Sequence, residues 1–353
     1  MGKLRIGLIF GGRSKEHEIS ILSARSVYNM ADKSKYDLIP FAITKEGYWL
    51  DSDKSLMILE DENITEASLT KTALAENERN SVSDSIESFI KEKMDLVFPV
   101  LHGPYGEDGR LQGMLEMLDI PYVGAGVLSS AAAMDKAVMK QLFSYHKIPQ
   151  GSFMVCYKYE LLDRLDDLSE KIENTLGWPC FIKPANMGSS IGISKVYNAE
   201  DLYDALLEAF KYDYKVVIEE FISGREVECS VFGNTEFNAS LPGEIRADND
   251  FYDYNAKYQD NSTELIIPAE LDDEIIAQIR KMAIDVFKAV DGRGFSRVDF
   301  FVADDERILV NEINTIPGFT RYSMYAKLWE ASGIEYSQLI DRLINLALEW
   351  QSI

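Results

Sequence analysis

Apolar and polar residues alternate in blocks over the first third of the chain. Helical spacing predicts one helix from an N-cap at Ser14 to about Met30 and another over Leu111–Leu118. Apolar runs predict strands at Leu4–Phe10, Asp37–Thr44, Asp95–Leu101 and Pro121–Val123. Strands that alternate with helices indicate a parallel sheet, and such sheets bind ligands at the carboxyl ends of their strands.

The pattern changes after a long helix that we predict from Ser129 to about His146. Beyond this helix the apolar runs predict an antiparallel α+β module. Its strands are expected at Cys180–Lys183, Ile191–Val196, Val216–Phe221 and Val227–Phe232, with a helix at Ala199–Phe210. The chain ends with a helix at Asp272–Val290, two strands at Arg297–Val302 and Arg307–Asn311, and two further helices.

Two polar segments interrupt this order. Residues 51–90 are rich in Ser, Glu and Asn and have a weak apolar period, which predicts a surface insertion. Residues 247–264 have no apolar period, and we expect a lid over a binding site there. Lys257 is the only basic residue of that second segment, which suits a cation that closes onto phosphates, although an ordinary surface loop remains an alternative.

Composition and charge exclude several classes of function. The chain has 353 residues, enough for two or three domains. Lys and Arg number 36 against 59 Asp and Glu, which gives a net charge of −23. Such a charge argues against general nucleic-acid binding and against an anionic membrane surface. A phosphate site would therefore need local Lys and Arg residues or a metal ion.

The hydrophobic runs, the cysteines and the histidines exclude further classes of protein and of site. The longest uncharged stretch, Ile120–Met134, is too short and too interrupted to span a bilayer. The three cysteines are far apart and form no CxxC pair, so neither a disulfide framework nor a zinc site is expected. Three histidines cannot build a histidine-based metal site alone. We expect a reduced, cytoplasmic protein.

The strongest chemical signal is the segment GFSRVDFFVADDERILVNEINTIPGFT. The polar break at residues 304–306 predicts a hairpin in which Asp299 faces Glu312 and Arg297 faces Asn314. Facing carboxylates repel each other unless a cation or a proton joins them. Oxygen ligands of this kind suit Mg²⁺, which completes its shell with water and phosphate. A solvated charged hairpin is the alternative, but the surrounding apolar residues favour burial.

Arg297 would lie beside this predicted metal, and its guanidinium can bind a carboxylate or acyl phosphate through two hydrogen bonds. The glycine turn after Pro317 exposes the backbone N–H of Gly318. Arg297 and Gly318 could together form an oxyanion hole.

A second signal is the segment FIKPANMGSSIGIS, in which a strand delivers Lys183 to a Gly/Ser turn. Glycine lets backbone N–H groups approach phosphate oxygens, and the hydroxyls of Ser189 and Ser190 add donors. A simple hairpin with a solvated lysine is about as good an interpretation of this segment alone. No GxxxxGK[ST] motif is present, which excludes a P-loop protein, and the match of GAGVLS to a dinucleotide-binding fingerprint is weak.

Taken together and in this order, the segments closely resemble the D-alanine–D-alanine ligase family of ATP-grasp enzymes. The resemblance covers residues 11–324 and rests on GGRSKEHEIS, LHGPYGEDGRLQGMLE, MDKAVMK, FIKPANMGSSIG, VVIEEFISGREVE, FYDYNAKY, GFSRVDF and NEINTIPGFTRYSM. It implies an ATP-grasp fold of α/β and α+β type with an N-terminal parallel-sheet, Rossmann-like domain. It implies an N-terminal pre-ATP-grasp domain at residues 1–134 and a central ATP-grasp subdomain at residues 135–225. The C-terminal ATP-grasp subdomain, residues 226–353, would contain the metal site and the lid.

The resemblance implies that the chain joins two D-alanines through a D-alanyl phosphate for peptidoglycan synthesis, using ATP and releasing ADP and phosphate. It implies two Mg²⁺ ions, for which Mn²⁺ can substitute, a cytoplasmic homodimer, and no nucleic-acid or membrane partner. The implied magnesium ligands are the hairpin residues Asp299, Glu312 and Asn314. The implied ATP contacts are Lys136, Lys183 and Lys257 on the phosphates, Ser189 and Ser190 in the glycine turn, and Glu219 and Glu226 on adenine and ribose.

The substrate residues follow from the same resemblance. Glu16 would hold the ammonium group of the first D-alanine, and His102 would lie near that subsite. Ser323 would bind the carboxylate of the second D-alanine. Two further groups are implied, namely Arg297 with Gly318 on the transferred acyl oxygen, and Glu16 with Ser189 and Tyr258 as a hydrogen-bonded set.

Three alternatives remain open at this stage. One is a relative that makes D-Ala–D-lactate or D-Ala–D-serine, against which the Lys257–Tyr258 pair and the apolar Met324 argue. A second is another ATP-grasp carboxylate–amine ligase, which EHEIS and FYDYNAKY disfavour. The third is a catalytically silent nucleotide-binding protein, but no expected metal ligand or phosphate lysine is missing.

Overall fold

A computed structural model describes residues 2–60, 82–246 and 264–351 of the chain. The strands are Leu4–Gly11 (β1), Tyr36–Ile43 (β2), Leu96–Pro99 (β3), Phe153–Tyr157 (β4), Cys180–Pro184 (β5), Ser194–Val196 (β6), Lys215–Glu220 (β7), Gly224–Gly233 (β8), Phe237–Ala239 (β9), Gly243–Arg246 (β10), Glu264–Ile266 (β11), Gly294–Ala303 (β12) and Ile308–Asn314 (β13). The α-helices are His17–Met30 (α1), Ser52–Glu60 (α2), Val82–Lys91 (α3), Arg110–Met117 (α4), Val127–Met134 (α5), Lys136–Tyr145 (α6), Leu161–Thr175 (α7), Leu202–Ala209 (α8), Asp273–Ala289 (α9), Met324–Ala331 (α10) and Tyr336–Trp350 (α11).

The first sheet is parallel, as the alternating pattern predicted. Its strands lie in the order β2–β1–β3, and both pairings of β1 are parallel. The strand predicted at residues 121–123 is reduced to a single bridge between Val97 and Tyr122. The carboxyl end of β1 runs into the turn before α1, so the N-terminal residues of that helix lie at the ligand-binding edge of the sheet.

The cap predicted for α1 is wrong. Glu16 occupies the N-cap position and makes no side-chain cap hydrogen bond. Ser14 instead accepts a hydrogen bond from the backbone N–H of Glu16, 3.1 Å away. Ser14 therefore shapes the turn before the helix.

Residues 51–90 are only partly the surface insertion that we expected. Helix α2 buries Ile58 and Leu59, and α3 buries Phe89 completely. The ring of Phe89 lies 5.0 Å from that of Phe41 and 4.8 Å from that of Trp49. Both ends of the segment therefore pack onto the first sheet, while residues 61–81 lie outside the described part.

The long helix predicted from Ser129 is two helices, α5 and α6, which meet at Asp135. The backbone of Asp135 is extended, with ψ near 99°. Its side chain accepts hydrogen bonds from the N–H groups of Ala137 and Val138, both at 3.1 Å. Asp135 is thus the N-cap of a new helix, a role for which aspartate is strongly preferred.

The second sheet is antiparallel, as expected, with the order β4–β7–β5–β6. The strand predicted at Val227–Phe232 is not part of it, because this segment pairs with β12 as β8 of the third sheet. Strand β4 and helix α7 were not among the predicted elements. The strand predicted at residues 191–196 is confined to Ser194–Val196, because the residues before it belong to a turn. The third sheet has the order β11–β10–β8–β12–β13, with β9 paired to β8.

Two of the hydrophobic cores differ in the parts of the chain that they join. One core joins the first sheet to the end of the chain and includes Phe98, Phe295, Phe319 and Leu339. The second sheet has a core of its own, in which Ile182 of β5 packs with residues of α8 and β7. The domain boundaries at residues 134/135 and 225/226 stay predictions.

Candidate active site

A cleft of about 800 Å³ is lined by residues that all three sheets and their loops supply. It brings together almost every site residue that the sequence suggested within the described part of the chain. Those lining it are Glu16, His102, Lys136, Lys183, Ser189, Ser190, Glu219, Glu226, Arg297, Glu312, Asn314, Gly318 and Ser323. Asp299, the third predicted metal ligand, is described but is not part of this lining. Lys257 and Tyr258 lie outside the described residues.

The predicted hairpin register is confirmed where it matters for the chemistry. Asp299 pairs with Glu312, and Arg297 pairs with Asn314. Nearer the turn the register differs by one residue, and a β-bulge between Asp299 and Phe300 leaves Asn311 as the extra residue on β13. Asn311 and Glu312 are consecutive, yet both line the cleft. A bulge that re-aims side chains beside a functional site is a recurrent device of sheets.

Arg297 lies between two carboxylates of neighbouring strands. Its Nε and Nη2 donate to the two oxygens of Asp299, each at 2.7 Å. The same Nε lies 2.9 Å from an oxygen of Glu228, which is buried on β8. Burial alone would lower the pKa of the guanidinium, but Asp299 and Glu228 outweigh it and raise the pKa further, so Arg297 is charged at every accessible pH.

The donors of the hairpin fit a magnesium ion in chemistry. Among the described residues no three His, Cys, Asp or Glu side chains converge as a metal-binding group. The expected set, however, contains only two carboxylates with one amide, and Mg²⁺ is usually bound by one or two carboxylates plus water and phosphate. Asp299 also accepts a hydrogen bond from Asn314 at 3.0 Å. A cation at Asp299 would therefore have to share this carboxylate with Arg297 and Asn314.

Two lysines contact a buried carboxylate at the other side of the cleft, and a third lysine contacts Glu312. Glu219 on β7 lies 3.0 Å from Lys183 on β5 and 3.4 Å from Lys140 on α6. Burial opposes the ionised carboxyl, but the two lysines outweigh it and lower the pKa of Glu219. Lys136 lies 3.6 Å from Glu312 and donates to the carbonyl of Met187 at 2.8 Å. Lys136 and Lys183 both line the cleft, so their ammonium groups concentrate positive charge that a polyphosphate can meet.

The Gly/Ser turn faces the same space. Ser189 and Ser190 have left-handed backbones, with φ of 51° and 57°. Within the described residues the buried hydroxyl of Ser189 has no hydrogen-bond partner. A methyl group at Gly188 would lie 3.5 Å from a carboxylate oxygen of Glu16. An orphaned hydroxyl beside exposed backbone donors fits an anionic ligand.

The N-terminal side of the cleft contains a buried histidine and two neighbouring carboxylates. The Nδ1 of His102 lies 2.9 Å from the carbonyl oxygen of Ile316, so Nδ1 is the protonated nitrogen of the neutral ring. Burial lowers the pKa of His102. Burial and the charge of Glu16 raise the pKa of Glu107 to about 8, although Gly103 donates its N–H to that carboxylate.

Gly318 and Ser323 are adjacent at the C-terminal end of the cleft. The hydroxyl oxygen of Ser323 would lie 3.2 Å from a Cβ at Gly318 and accepts a hydrogen bond from the N–H of Thr320 at 3.0 Å. Ser323 precedes α10, so its side chain is fixed at the start of a helix. This position suits a group that receives a carboxylate.

Sequence reasoning missed three charged residues of the cleft region, namely Glu107, Lys140 and Glu228. Two of them, Glu228 and Lys140, have a neighbour in the sequence that was recognised. Glu228 follows Glu226 by two residues on one strand, and Lys140 follows Lys136 by one helical turn. Strand and helix periodicity therefore contained a usable signal for both.

Comparison with known proteins identifies the family. The family models described as D-ala D-ala ligase N-terminus and D-ala D-ala ligase C-terminus match residues 5–125 and 142–345. The chain belongs to the D-alanine–D-alanine ligase family. It is 57% identical to the D-alanine–D-alanine ligase of Halothermothrix orenii over 99% of each chain, and 49% identical to that of Geobacillus thermodenitrificans over 98% of this chain and 96% of the relative.

Solved structures of the family have the same fold. The D-alanine–D-alanine ligase from Coxiella burnetii matches with a TM-score of 0.84 and 35% identity, covering 100% of this chain and 96% of the other. A D-Ala:D-Ser ligase from Enterococcus faecalis matches with a TM-score of 0.81 and 37% identity, covering 98% and 100%. The predicted ATP-grasp fold and ligase family are confirmed. Among the described residues no helix is long and apolar enough to cross a membrane.

Proposed function

We propose that the chain joins two D-alanines into D-alanyl-D-alanine at the cost of ATP, with release of ADP and phosphate. The observation that supports this most is the confirmed hairpin register beside the lysines of the cleft. It sets Asp299 opposite Glu312 and places Arg297 next to them in the same space as Lys136 and Lys183. A phosphoryl-transfer site needs this combination of oxygen ligands and fixed cations.

The nucleotide is proposed to lie between the second and third sheets. Lys136 and Lys183 would contact its phosphates together with Ser189 and Ser190 of the glycine turn. Glu219 and Glu226 would contact adenine and ribose. Asp299, Glu312 and Asn314 would hold the two Mg²⁺ ions, for which Mn²⁺ can substitute, and these ions would neutralise charge between the β- and γ-phosphates.

The two amino acids are proposed to occupy the remaining part of the cleft. Glu16 would receive the ammonium of the first D-alanine, close to the neutral ring of His102. The carboxylate of that D-alanine would attack the γ-phosphorus and displace ADP to form an acyl phosphate. The amine of the second D-alanine would then displace phosphate and lose a proton to form the peptide bond. Arg297 and the N–H of Gly318 would stabilise the oxyanion when the second amine attacks, and Ser323 would hold the carboxylate of the second D-alanine.

A D-Ala:D-Ser activity is the second candidate, because a ligase of that specificity is 37% identical in sequence. Met324 argues for D-alanine. It follows Ser323, is buried, and packs with Ile245 and Leu328 on the wall of the cleft. An apolar wall suits a methyl group, whereas a serine hydroxyl placed there would lose its hydrogen bonds to water.

The test is phosphate release with D-alanine alone, D-alanine plus D-serine, and D-alanine plus D-lactate, followed by the mass of each product. We expect D-alanyl-D-alanine as the main product in all three mixtures. Glu312→Gln should fold and release at least about a hundredfold less phosphate, because a metal ligand loses its charge. A main product containing D-serine or D-lactate would contradict the dipeptide assignment, and normal activity of Glu312→Gln would contradict the metal assignment. The cytoplasmic location and the homodimer stay predictions.

A further inference from the structure

Three carboxylates lie in one row across adjacent strands of the third sheet. Asp299 on β12 pairs with Glu312 on β13 and, on its other side, with Glu228 on β8. Directly paired residues project from the same face of a sheet, with their Cβ atoms about 5 Å apart. Glu228 and Glu312 therefore flank Asp299, and Arg297 is the cation that lies among them.

The Asp299 carboxylate has two roles in the proposed site, as the partner of Arg297 and as a ligand of the metal. Its two oxygens accept hydrogen bonds from Arg297 at 2.7 Å each, and Asn314 adds a third at 3.0 Å. A carboxylate has about four acceptor positions, so these three hydrogen bonds leave about one for a cation. If Asp299 is also a magnesium ligand, as the proposed function requires, a divalent cation on the same carboxylate repels the guanidinium and weakens the hold of Asp299 on Arg297.

A buried guanidinium cannot lose its carboxylate partner without a large cost. The side chain of Arg297 is only 18% exposed, and that of Glu228 is 7% exposed. Removing one partner of a buried ion pair is strongly destabilising, because it leaves an uncompensated buried charge. Glu228 already lies 2.9 Å from the Nε that also donates to Asp299. It can therefore keep Arg297 paired while Asp299 turns to the metal.

We propose that Glu228 is a positioning residue that holds Arg297 when Asp299 binds magnesium. Glu228 acts through Arg297 and is not itself a metal ligand. The assignment rests on the proposed function, because it takes Asp299 as a ligand of the nucleotide-bound metal. It adds a residue of β8 to a centre that the sequence located only on the hairpin.

The direct consequence concerns metal affinity. With Glu228→Gln, Arg297 loses one of its two ion-paired carboxylates and depends more on Asp299, so the metal and the guanidinium compete for that group. Substitution of a residue that orients a metal ligand lowers metal affinity by about 10–100-fold. We therefore expect the Kd for Mn²⁺ to rise about tenfold in Glu228→Gln, measured by electron paramagnetic resonance with a non-hydrolysable ATP analogue bound.

A loss of negative charge would also weaken metal binding, and a double-mutant cycle separates the two explanations. In an Arg297→Gln background the competition no longer exists, so adding Glu228→Gln should change the Mn²⁺ Kd less than twofold. An equal rise in both backgrounds would overturn the positioning role, as would no rise in either. If Arg297→Gln fails to fold, Glu228→Asp replaces it. That variant keeps the charge but withdraws the carboxylate, so we expect a weakened affinity, and an unchanged affinity would overturn the proposal.

Ser230→Ala is the matched control on the same strand. Ser230 is fully buried, is the strand partner of Arg297, and contacts the backbone of Tyr325 at 3.3 Å. It should lower stability and leave the Mn²⁺ Kd unchanged, and a tenfold rise here would mean that any disturbance of β8 has the same effect. Because Mn²⁺ binding is measured without turnover, its outcome is independent of the wild-type product and of the activity of Glu312→Gln, which test the proposed function.

Discussion

At the scale of single residues, the sequence predicts a site well when the residues of that site lie on one local element. Asp299 faces Glu312 because strand period and a short turn determine which residues meet across a hairpin. Glu228 could not be placed in the same way, since its neighbour Asp299 is distant along the chain. Charged residues are ordinarily exposed, so burial of Glu228 is visible only once the sheet is assembled.

Glu107 gives the clearest prediction at this scale. Burial and the nearby charge of Glu16 raise its pKa to about 8 from an ordinary value of 4.5. The folded protein then binds a proton on Glu107 between about pH 4.5 and 8 that the unfolded chain has lost. This group lowers the free energy of unfolding as pH rises through that window, by up to about 1.4 kcal/mol per pH unit. Below the window it has no such effect, and above the window the loss is constant.

Glu107→Gln should remove that slope, because an amide does not titrate. We expect the free energy of unfolding of Glu107→Gln to rise steadily relative to that of the wild type from pH 5 to pH 8. Urea unfolding without nucleotide measures it. Glu116→Gln is the control, since Glu116 lies on α4 with a half-exposed side chain and does not line the cleft. Parallel stability curves for wild type and Glu107→Gln would show that Glu107 is ionised throughout.

At the scale of elements, helix and strand periods locate segments but not their interruptions. The apolar spacing runs on through Asp135, so one helix was predicted where there are two. The break arises because Asp135 caps α6 and also binds Lys215 and Asn186 of the second sheet region. Residues 51–90 look like a surface insertion in the sequence for a related reason. A few apolar residues such as Phe89 suffice to hold a short helix on a sheet, and so few residues give only a weak apolar period.

Asp135 connects this break to the cleft, because α6 holds Lys136 and Lys140. Asp135→Asn should keep the cap but remove the charge that pairs with the buried Lys215. Asp135→Ala should lose both. We expect the free energy of unfolding to fall in the order wild type, Asn, Ala, with about 1 kcal/mol between the two variants for the cap. Urea denaturation measures this order, and equal stability of the two variants would contradict a capping role.

At the scale of the whole molecule, a strongly acidic protein concentrates cations where a polyphosphate would bind. The net charge is −23, yet Lys136, Lys140, Lys183 and Arg297 all lie in or beside one cleft. The charge balance of the sequence indicated only that a phosphate site would need such a local concentration or a metal ion. It could not predict that the first sheet and the end of the chain share one core, because that contact joins segments about two hundred residues apart.

The separate core of the second sheet leads to a prediction about cooperativity. Ile182 packs only within that core, whereas Phe98 on β3 packs in the core shared with the C-terminal helices. Both side chains are fully buried, so truncation to alanine should cost about 2–5 kcal/mol at either position. If the two cores unfold as separate units, Ile182→Ala should speed native-state hydrogen exchange in β4–β7 and leave β1 and β3 unchanged. Phe98→Ala should speed exchange in β1 and β3 and leave β4–β7 unchanged.

A nucleotide analogue with Mg²⁺ should slow exchange in the second sheet most, because that sheet supplies Lys183 and Glu219 to the cleft. Equal acceleration of all sheets by either variant would mean one cooperative unit, in which the cleft cannot open by movement of the second sheet alone.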